Sequence, residues 1–427
     1  MSDEENSRLI RITQAELDAI ARKHWMYRQA RVGGARAILA RHDLSQLQLR
    51  NCDFSHADMT GISLNSADAR GAVFDYCTFF GADLRFCNLR GVSFVRADLR
   101  GACLRGASLI GADMTGVDLR EGILASADHV GNLVPLHRDW PVSDSGGADL
   151  SGANLSDARL SGAVAAGTNF SDATMRSCKI VRANLEGSNF SGANLDGADL
   201  SQCNLKNVNM RGALLANVAL NIEGLSQASL AGALTSAPAG PTVKDLPESL
   251  ERLLRKHALW VDSDGRSGEQ LDISGYDMRG TKLFAMARLS LMNANKAILY
   301  GLNLSNTQIQ AACLCGADLR YITAPGADMR GIDLSGAGLT NADLQGARFD
   351  PLVSPQGRVL LSDLSNANFR YANLSGASLR QAQLTDADLS YANLLGADLT
   401  GSDLTGADLT GASVNESQQA VIDRGKG

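Results

Sequence analysis

The chain has 427 residues, a formal net charge of −6 and a pI near 5.6, which argues against nucleic acid as a main partner because phosphate neutralisation needs a basic surface. Aromatic residues make up 5% and glycines number 43; both follow if the interior is a narrow column of Ala and Leu. No run of about 18 apolar residues occurs and the start, MSDEENSRLI, lacks a basic and then apolar leader, so a soluble, cytoplasmic protein is expected.

The first predicted element is an amphipathic helix over residues 13–30. Thr13 and Glu16 form a capping box. Leu17, Ile20, His24 and Tyr27 share one face, and Gly33-Gly34 ends the helix. From residue 44 to 124 a period of five takes over. Leu84, Leu89, Phe94, Leu99, Leu104, Leu109, Met114 and Leu119 recur at every fifth place, and each follows a small residue by two, as in Ala82, Cys87, Val92 and Ala97. Five fits neither the helical period nor the strand period. It fits a short in-out-in extended segment followed by a two-residue corner, and a chain built this way coils on itself and stacks its inward residues into ladders.

The period breaks at 125–147, a stretch containing His129, Pro135, His137, Trp140 and Pro141, and resumes at Leu150 shifted by one, to hold until about Leu230. Residues 236–247, SAPAGPTVKDLP, have no period and read as a linker. Then the beginning returns. Leu250, Leu253, His257 and Trp260 repeat the spacing of Leu17, Ile20, His24 and Tyr27, and Arg-Lys-His occurs in both stretches. Fives restart near Ile273, slip by one between Leu283 and Leu289, and run to Phe349. A second interruption covers 350–361, fives continue from Leu364 to Val414, and a polar tail follows. The chain reads as a tandem duplication: residues 1–235 and 248–427, each a helix, coils, an insertion and further coils. The open end of a solenoid exposes its apolar column and unpaired backbone, so each helix is expected to cap the coils after it.

Units such as Ala97-Asp98-Leu99, Ala153-Asn154-Leu155, Ala193-Asn194-Leu195, Ala397-Asp398-Leu399 and Ala407-Asp408-Leu409 resemble the pentapeptide-repeat family, whose unit is A(D/N)LXX. The resemblance implies an all-β solenoid, a right-handed quadrilateral β-helix with four pentapeptides per coil, here in two modules each preceded by a capping α-helix. The arrangement also looks like bacterial multi-repeat members. Some members mimic B-form DNA and bind DNA gyrase, which makes a DNA-mimicking regulator of gyrase or another DNA-binding protein the alternative function. Against it, stacking every fourth unit places Arg85 under Arg105 and Arg100 under Arg120, in basic columns that a phosphate mimic would not carry. Residues 381–414, in contrast, hold Asp386, Asp388, Asp398, Asp403 and Asp408 and no Lys or Arg. This polarity allows homo-oligomers by end-to-end association.

Chemistry is hard to find in the remainder. Cys52, Cys77, Cys87, Cys178 and Cys203 take the small inward position, while Cys103, Cys313 and Cys315 fall elsewhere; they read as structural thiols. His24 and His257 sit on helix faces without a carboxylate or cysteine at useful spacing. Asp262-Ser263-Asp264-Gly265 starts like a calcium loop, but Arg266 and Ile273 fill later ligand positions, so it reads as a turn. No nucleophile–base arrangement and no phosphate-binding glycine loop appear. The expectation is no enzyme, no cofactor and no metal. What remains is a non-enzymatic scaffold for protein partners, with its binding residues on interruptions and corners. Leu133, Leu136, His137, Arg138 and Trp140 of the first insertion are the main candidates, either as a projecting loop or as a plug folded onto the coils. Residues 351–360 form the paired candidate and lack an aromatic. Tyr371 and Tyr391 occupy the same corner one coil apart and are expected to stack.

Overall fold

The computed structural model describes residues 9–122, 125–127, 133–135, 147–220, 227–354 and 356–425. Its repeating element is one parallel bridge per five residues to a partner twenty residues on, as in Ser63↔Asp83↔Cys103 and Thr78↔Asp98↔Asp118. Around Leu84 the reason for each position is visible. The Leu84 amide donates to the Cys103 carbonyl at 2.9 Å in the next coil, and the Asp83 amide donates to Ile62 in the previous one at 2.8 Å. The Ala82 amide closes the corner on the Phe79 carbonyl at 3.0 Å. Ala82 and Leu84 are buried. The second corner residue is held in the left-handed region, where glycine is at no disadvantage: Gly81 has φ 63°. A coil of four such units closes its backbone hydrogen bonds on the coils above and below.

The chain divides into two compact units, Met1–Ala237 and Pro238–Gly427. In the first, strand β1 (Ile10–Arg11) precedes helix α1 (Gln14–Arg28) and pairs in parallel with β2 (His42–Asp43). Thr13 and Glu16 form the expected capping box. Leu17 and His24 are fully buried. The Ala37 amide donates to His24 Nδ1 at 3.0 Å, which puts the ring proton on Nε2, and that nitrogen donates to the Ser55 carbonyl at 3.1 Å. The ring stacks on Phe54, the foot of a column that continues through Phe74 and Phe94. The first interruption widens the coil-to-coil step from 20 residues to 41. It contains an antiparallel hairpin, β3 (Ala125–Ala127) with β4 (Leu133–Pro135), register Ser126↔Val134. Further on, β5 (Leu214–Leu215) pairs in parallel with β6 (Leu234–Thr235).

In the second unit the Pro-rich stretch does more than connect. The Asp277 amide donates to the Pro241 carbonyl at 2.7 Å, and the Ala239 amide donates to the Asp277 carboxylate at 3.1 Å, so residues 239–242 lie along the first coil. Helix α2 (Leu250–Asp262) buries Leu250 and His257, and the Leu271 amide donates to His257 Nδ1 at 3.0 Å. The slip falls one unit earlier than the sequence suggested. Phe284, not Leu283, points inward: Phe284 is 1% exposed and Leu283 40%. The extra residue is taken up between Met278 and Phe284, where Gly280 has φ 80°, and the larger ring fills the column. The second interruption widens the step to 30 residues around the antiparallel hairpin β7 (Leu352–Val353) and β8 (Val359–Leu360). The polar tail is a helix, α3 (Glu416–Gly425). Gln418 donates its side-chain amide to the carbonyls of Leu394 and, at 2.8 Å, Ala397, and Ile422 is buried. Two carbonyls near the end of the coils are thereby satisfied, which a pattern of apolar fives could not reveal.

Candidate functional site

With the interior filled by Ala, Leu and Phe, the surface is made of corners and interruptions. The Asp or Asn between the two inward residues accepts, through Oδ1, the amide two places on, an Asx turn that holds the corner. Examples are Ser55 to Asp53 at 2.8 Å, Arg85 to Asp83 at 3.1 Å and Ser171 to Asn169 at 3.1 Å. Where the corner residue is Arg, its guanidinium folds back onto the same carboxylate with two bonds. Arg85–Asp83, Arg100–Asp98, Arg120–Asp118, Arg279–Asp277, Arg320–Asp318 and Arg330–Asp328 all close this way at 2.6–2.8 Å. This corrects the expectation of a basic column at Arg100 and Arg120, whereas in the column of Arg85 the place two residues before Arg105 is held by Cys103 and not by Asp. Arg85, Arg100 and Arg120 each carry their counter-ion two residues upstream, and the Arg100 guanidinium also lies over the Phe80 ring at 5.3 Å. Asp68 takes both Arg70 and Arg50, whose hydrogen bonds pull its carboxyl down to about 2.

The predicted binding residues fare unequally. Leu136, His137, Arg138 and Trp140 lie outside the described residues, and Leu133 falls in β4, of which the backbone alone is described. In the second hairpin Val353, Val359 and Leu360 are exposed, with Leu352 and Leu360 against the Gly331 corner. Tyr371 and Tyr391 stack as expected, with centroids 5.2 Å apart and planes 8° off parallel.

That pair is the end of something longer. Along one corner of the second unit the amide ladder runs from Gly301 to Arg320, Tyr321 to Thr340, Asn341 to Arg370, Tyr371 to Ser390 and Tyr391 to Thr410, at 2.9–3.2 Å. Four of the seven tyrosines, Tyr300, Tyr321, Tyr371 and Tyr391, stand on this ridge with Arg320 and Arg370. Tyr300 and Tyr321 are 5.3 Å apart, Arg320 lies over Tyr300 and Arg370 over Tyr371. Sequence reading missed the upstream half. Tyr300 takes the first corner position and Tyr321 the second, and the hairpin intervenes before Tyr371, so no constant spacing links them.

The remaining candidates resolve into structure. Cys77, Cys87, Cys178 and Cys203 donate their thiols to carbonyls of neighbouring coils at 2.7–3.2 Å. Burial pushes the thiols of Cys77, Cys87 and Cys178 up to about 12, leaving them protonated and unreactive. Asp262 pairs with Arg288 at 2.6 Å, and the Ser263 hydroxyl accepts the Ser267 amide, which makes 262–267 a closed turn. Burial lowers both His24 and His257 below the usual imidazole value, in keeping with neutral rings that accept a backbone amide. Among the described residues no group of three or more His, Cys, Asp or Glu could hold a metal ion, and no helix is long and apolar enough to cross a membrane.

A family model described as pentapeptide repeats matches in eight copies, over residues 35–65, 48–85, 77–116, 146–180, 178–217, 312–350, 362–401 and 382–417. No curated protein matches the chain. Similar solved structures include QnrB1, a plasmid-mediated fluoroquinolone resistance protein (20% identity over 47% of this chain and 92% of that one, TM-score 0.26). HetL, involved in heterocyst differentiation regulation in the cyanobacterium Nostoc, shares 22% identity over 80% of this chain and 91% of its own, with a TM-score of 0.15. A protein of the Arabidopsis thaliana thylakoid lumen shares 30% identity over 29% of this chain and 76% of its own, with a TM-score of 0.17.

Proposed function

The chain belongs to the pentapeptide-repeat family, whose members fold as right-handed quadrilateral β-helices, and from that premise we propose that it is a non-enzymatic scaffold that presents rigid faces and projecting hairpins to protein partners. The observation that carries this reading is the chemistry of the corners. Among the described residues, Asx turns and Asp–Arg clips hold corner polar groups in local hydrogen bonds, while hairpins and a Tyr–Arg ridge break an otherwise uniform surface. In this reading the two units are capped modules, with α1, α2 and α3 covering coil ends.

The test is affinity purification from native cells of the full chain, of a variant lacking 125–147, and of a Leu133→Ala, His137→Ala, Trp140→Ala triple variant. Loss of a stoichiometric partner supports the role of the first insertion. Partners bound unchanged by both variants count against it.

A second reading, a DNA-mimicking regulator of gyrase or another DNA-binding protein, is favoured by one feature: Asp388 and Asp408 stand on adjacent rungs in the stretch 381–414, which holds no Lys or Arg. It requires purified protein to alter gyrase supercoiling at micromolar concentration, and no effect eliminates it.

A further inference from the structure

Helices α1 and α2 bury matching residues on their inner faces, but their outer faces differ. From that difference we infer that the C-terminal end of α1, with the turn that follows it, is a docking surface for an anionic lipid bilayer. The inference goes beyond the scaffold reading and needs no protein partner.

Charge is the first difference. Residues 9–41 hold seven Arg or Lys and two acidic residues, whereas the matching residues 242–274 hold five and seven. The acidic pair of the first cap is engaged near the start of α1: Glu16 accepts the Thr13 amide at 2.8 Å, and Asp18 accepts the Gln14 side chain at 2.8 Å. Toward the other end, Arg22, Lys23 and Arg31 are exposed and have no carboxylate partner among the described residues. Arg28 reaches Asp53 at 3.8 Å. In the second cap the cations are matched. Lys256, the counterpart of Lys23, pairs with Glu248 at 2.7 Å and Glu269 at 3.0 Å, and Arg252 pairs with Glu248 at 2.7 Å.

Apolar exposure is the second difference. The chain after α1 folds back on the last turn of the helix: the Arg31 amide donates to the Met26 carbonyl at 2.8 Å, and the Ala35 amide to the Lys23 carbonyl at 3.0 Å. This leaves Val32 98% exposed at the tip and Trp25 46% exposed, with the Arg31 guanidinium 4.5 Å over the indole. Arg22 precedes Trp25 by three residues and so lies beside it on the helix surface. In the second cap Ala258 and Gly265 stand where Trp25 and Val32 do, and Trp260 lies against the Gly265 turn.

The combination selects the occupant. Cations within a Debye length of an anionic leaflet are drawn to it. Tryptophan settles at the headgroup level, and an aliphatic side chain at an exposed tip gains by leaving water for the acyl boundary. A nucleic acid would satisfy the cations but leave Val32 in water. Its bases also need a series of aromatic platforms, and this end offers one indole with a face already under Arg31. The acidic stretch 381–414 of a second copy would match the charge, but among the described residues of that stretch only Leu395 is a large, exposed apolar side chain.

The test is co-sedimentation of the full chain with sucrose-loaded vesicles of phosphatidylcholine, alone or mixed equally with phosphatidylglycerol. Binding to the mixed vesicles is expected, and binding to phosphatidylcholine alone should be weaker by roughly tenfold or more. Arg22→Gln combined with Lys23→Gln should weaken it by about fivefold per cation, and Val32→Asp or Trp25→Ala by about tenfold. All four positions are exposed, so urea unfolding of each variant should match the parent. Arg255→Gln combined with Arg266→Gln in the second cap should leave binding unchanged, and removing residues 2–8, with Asp3, Glu4 and Glu5, should not weaken it. The proposal is overturned by equal binding to both vesicles or none to either, by an equal loss from the second-cap pair, or by loss on removing 2–8. It is also overturned if Val32→Asp has no effect, or if oligothymidylate binds more tightly than the mixed vesicles. Self-association without vesicles that the Arg22–Lys23 variant abolishes would make a second copy the occupant, and overturns it too. None of these readouts involves a protein partner, so the insertion variants judge the scaffold reading separately.

Discussion

His24 in the first unit and His257 in the second perform the same task on equivalent atoms. Each is buried, and each accepts at Nδ1 a backbone amide from the start of the coils, Ala37 in one and Leu271 in the other, at 3.0 Å in both. The interruptions are not equivalent in this way. In the first unit His24 rests on the column Phe54–Phe74–Phe94–Met114, and the chain passes through a further face, to Leu119, before it departs. In the second unit His257 lies against Leu289 and Ser290, whose column runs through Ile309 and Met329 to Phe349, and the hairpin leaves directly from Phe349. Measured from its own helix, each hairpin leaves a different corner. Closing a coil end has few solutions, because edge amides and an apolar column must be covered together. Lengthening a corner has many, because a corner is already an outward two-residue loop. Ends are conservative for physical reasons, and sides are free to specialise.

The sharpest way to break this comparison is to remove the shared device. His24→Ala and His257→Ala each leave a buried amide without its acceptor and open a ring-sized void, at an expected cost of about 3 kcal/mol to the unit concerned. Urea unfolding followed separately for each unit checks it. His24→Ala is expected to cost more, since His24 also donates to the Ser55 carbonyl. A negligible loss at either site would show that the two helices are not equivalent.

Acidification does the same thing gradually. Burial lowers both imidazoles below the ordinary 6.5. Around His24, the Ser55 carbonyl and Asp53 oppose that shift while Arg28 and Arg36 reinforce it; around His257, the backbone of Ser290 and Leu289 opposes it. The unfolded chain then binds more protons than the folded one below pH 6.5, so this stability is complete above 6.5 and is lost as pH falls through the folded values. Melting temperatures at pH 7.5 and 5.0 should differ less in the double His→Ala variant than in the parent. An equal difference would assign the acid sensitivity to other groups.

The far end of the second unit extends the comparison to a different residue. Gln418→Leu keeps the volume but withdraws two donors from the Leu394 and Ala397 carbonyls, an expected loss of about 1–2 kcal/mol. This end was not legible in the sequence. A short polar helix with one buried isoleucine has no apolar period to announce it, and an amide that caps two carbonyls leaves no spacing signal. The coils were legible because five-residue periodicity is itself the geometry: small and large inward residues two apart and a permissive corner. The slip was read one unit late because Leu283 and Phe284 are both apolar, and size decided which turned inward. The ridge was half read, since Tyr371 and Tyr391 keep a fixed spacing and Tyr300 and Tyr321 do not. The Asp–Arg clips were missed because charges were compared between coils rather than within a corner.

The smallest expected effect is the most informative about the sides. Deleting residues 351–360 joins Asp350 to Leu361 and leaves Ser362 as the small inward residue and Leu364 as the next large one, restoring the twenty-residue step. Ser362 is already buried and bonded to the Met329 carbonyl, and the Leu364 amide already donates to Gln383 at 2.7 Å, so the rung above the cut is in place. Leu361 would then become the second corner residue, in the left-handed region, so the deletion is best combined with Leu361→Gly. The cover that Leu352 and Leu360 give the Gly331 corner is lost. The loop entropy recovered offsets part of that loss, and shortening a loop by this much alters closure by less than about 1 kcal/mol. Stability of the second unit should therefore change by less than about 1 kcal/mol in urea, against about 3 for His257→Ala. A loss as large as that of the histidine variant would make the hairpin a structural plug, and sides and ends would then be equally constrained. A near-zero change leaves β7 and β8, with Val353 and Val359 exposed, as chain that the fold does not need, and recognition becomes the remaining reason to carry them.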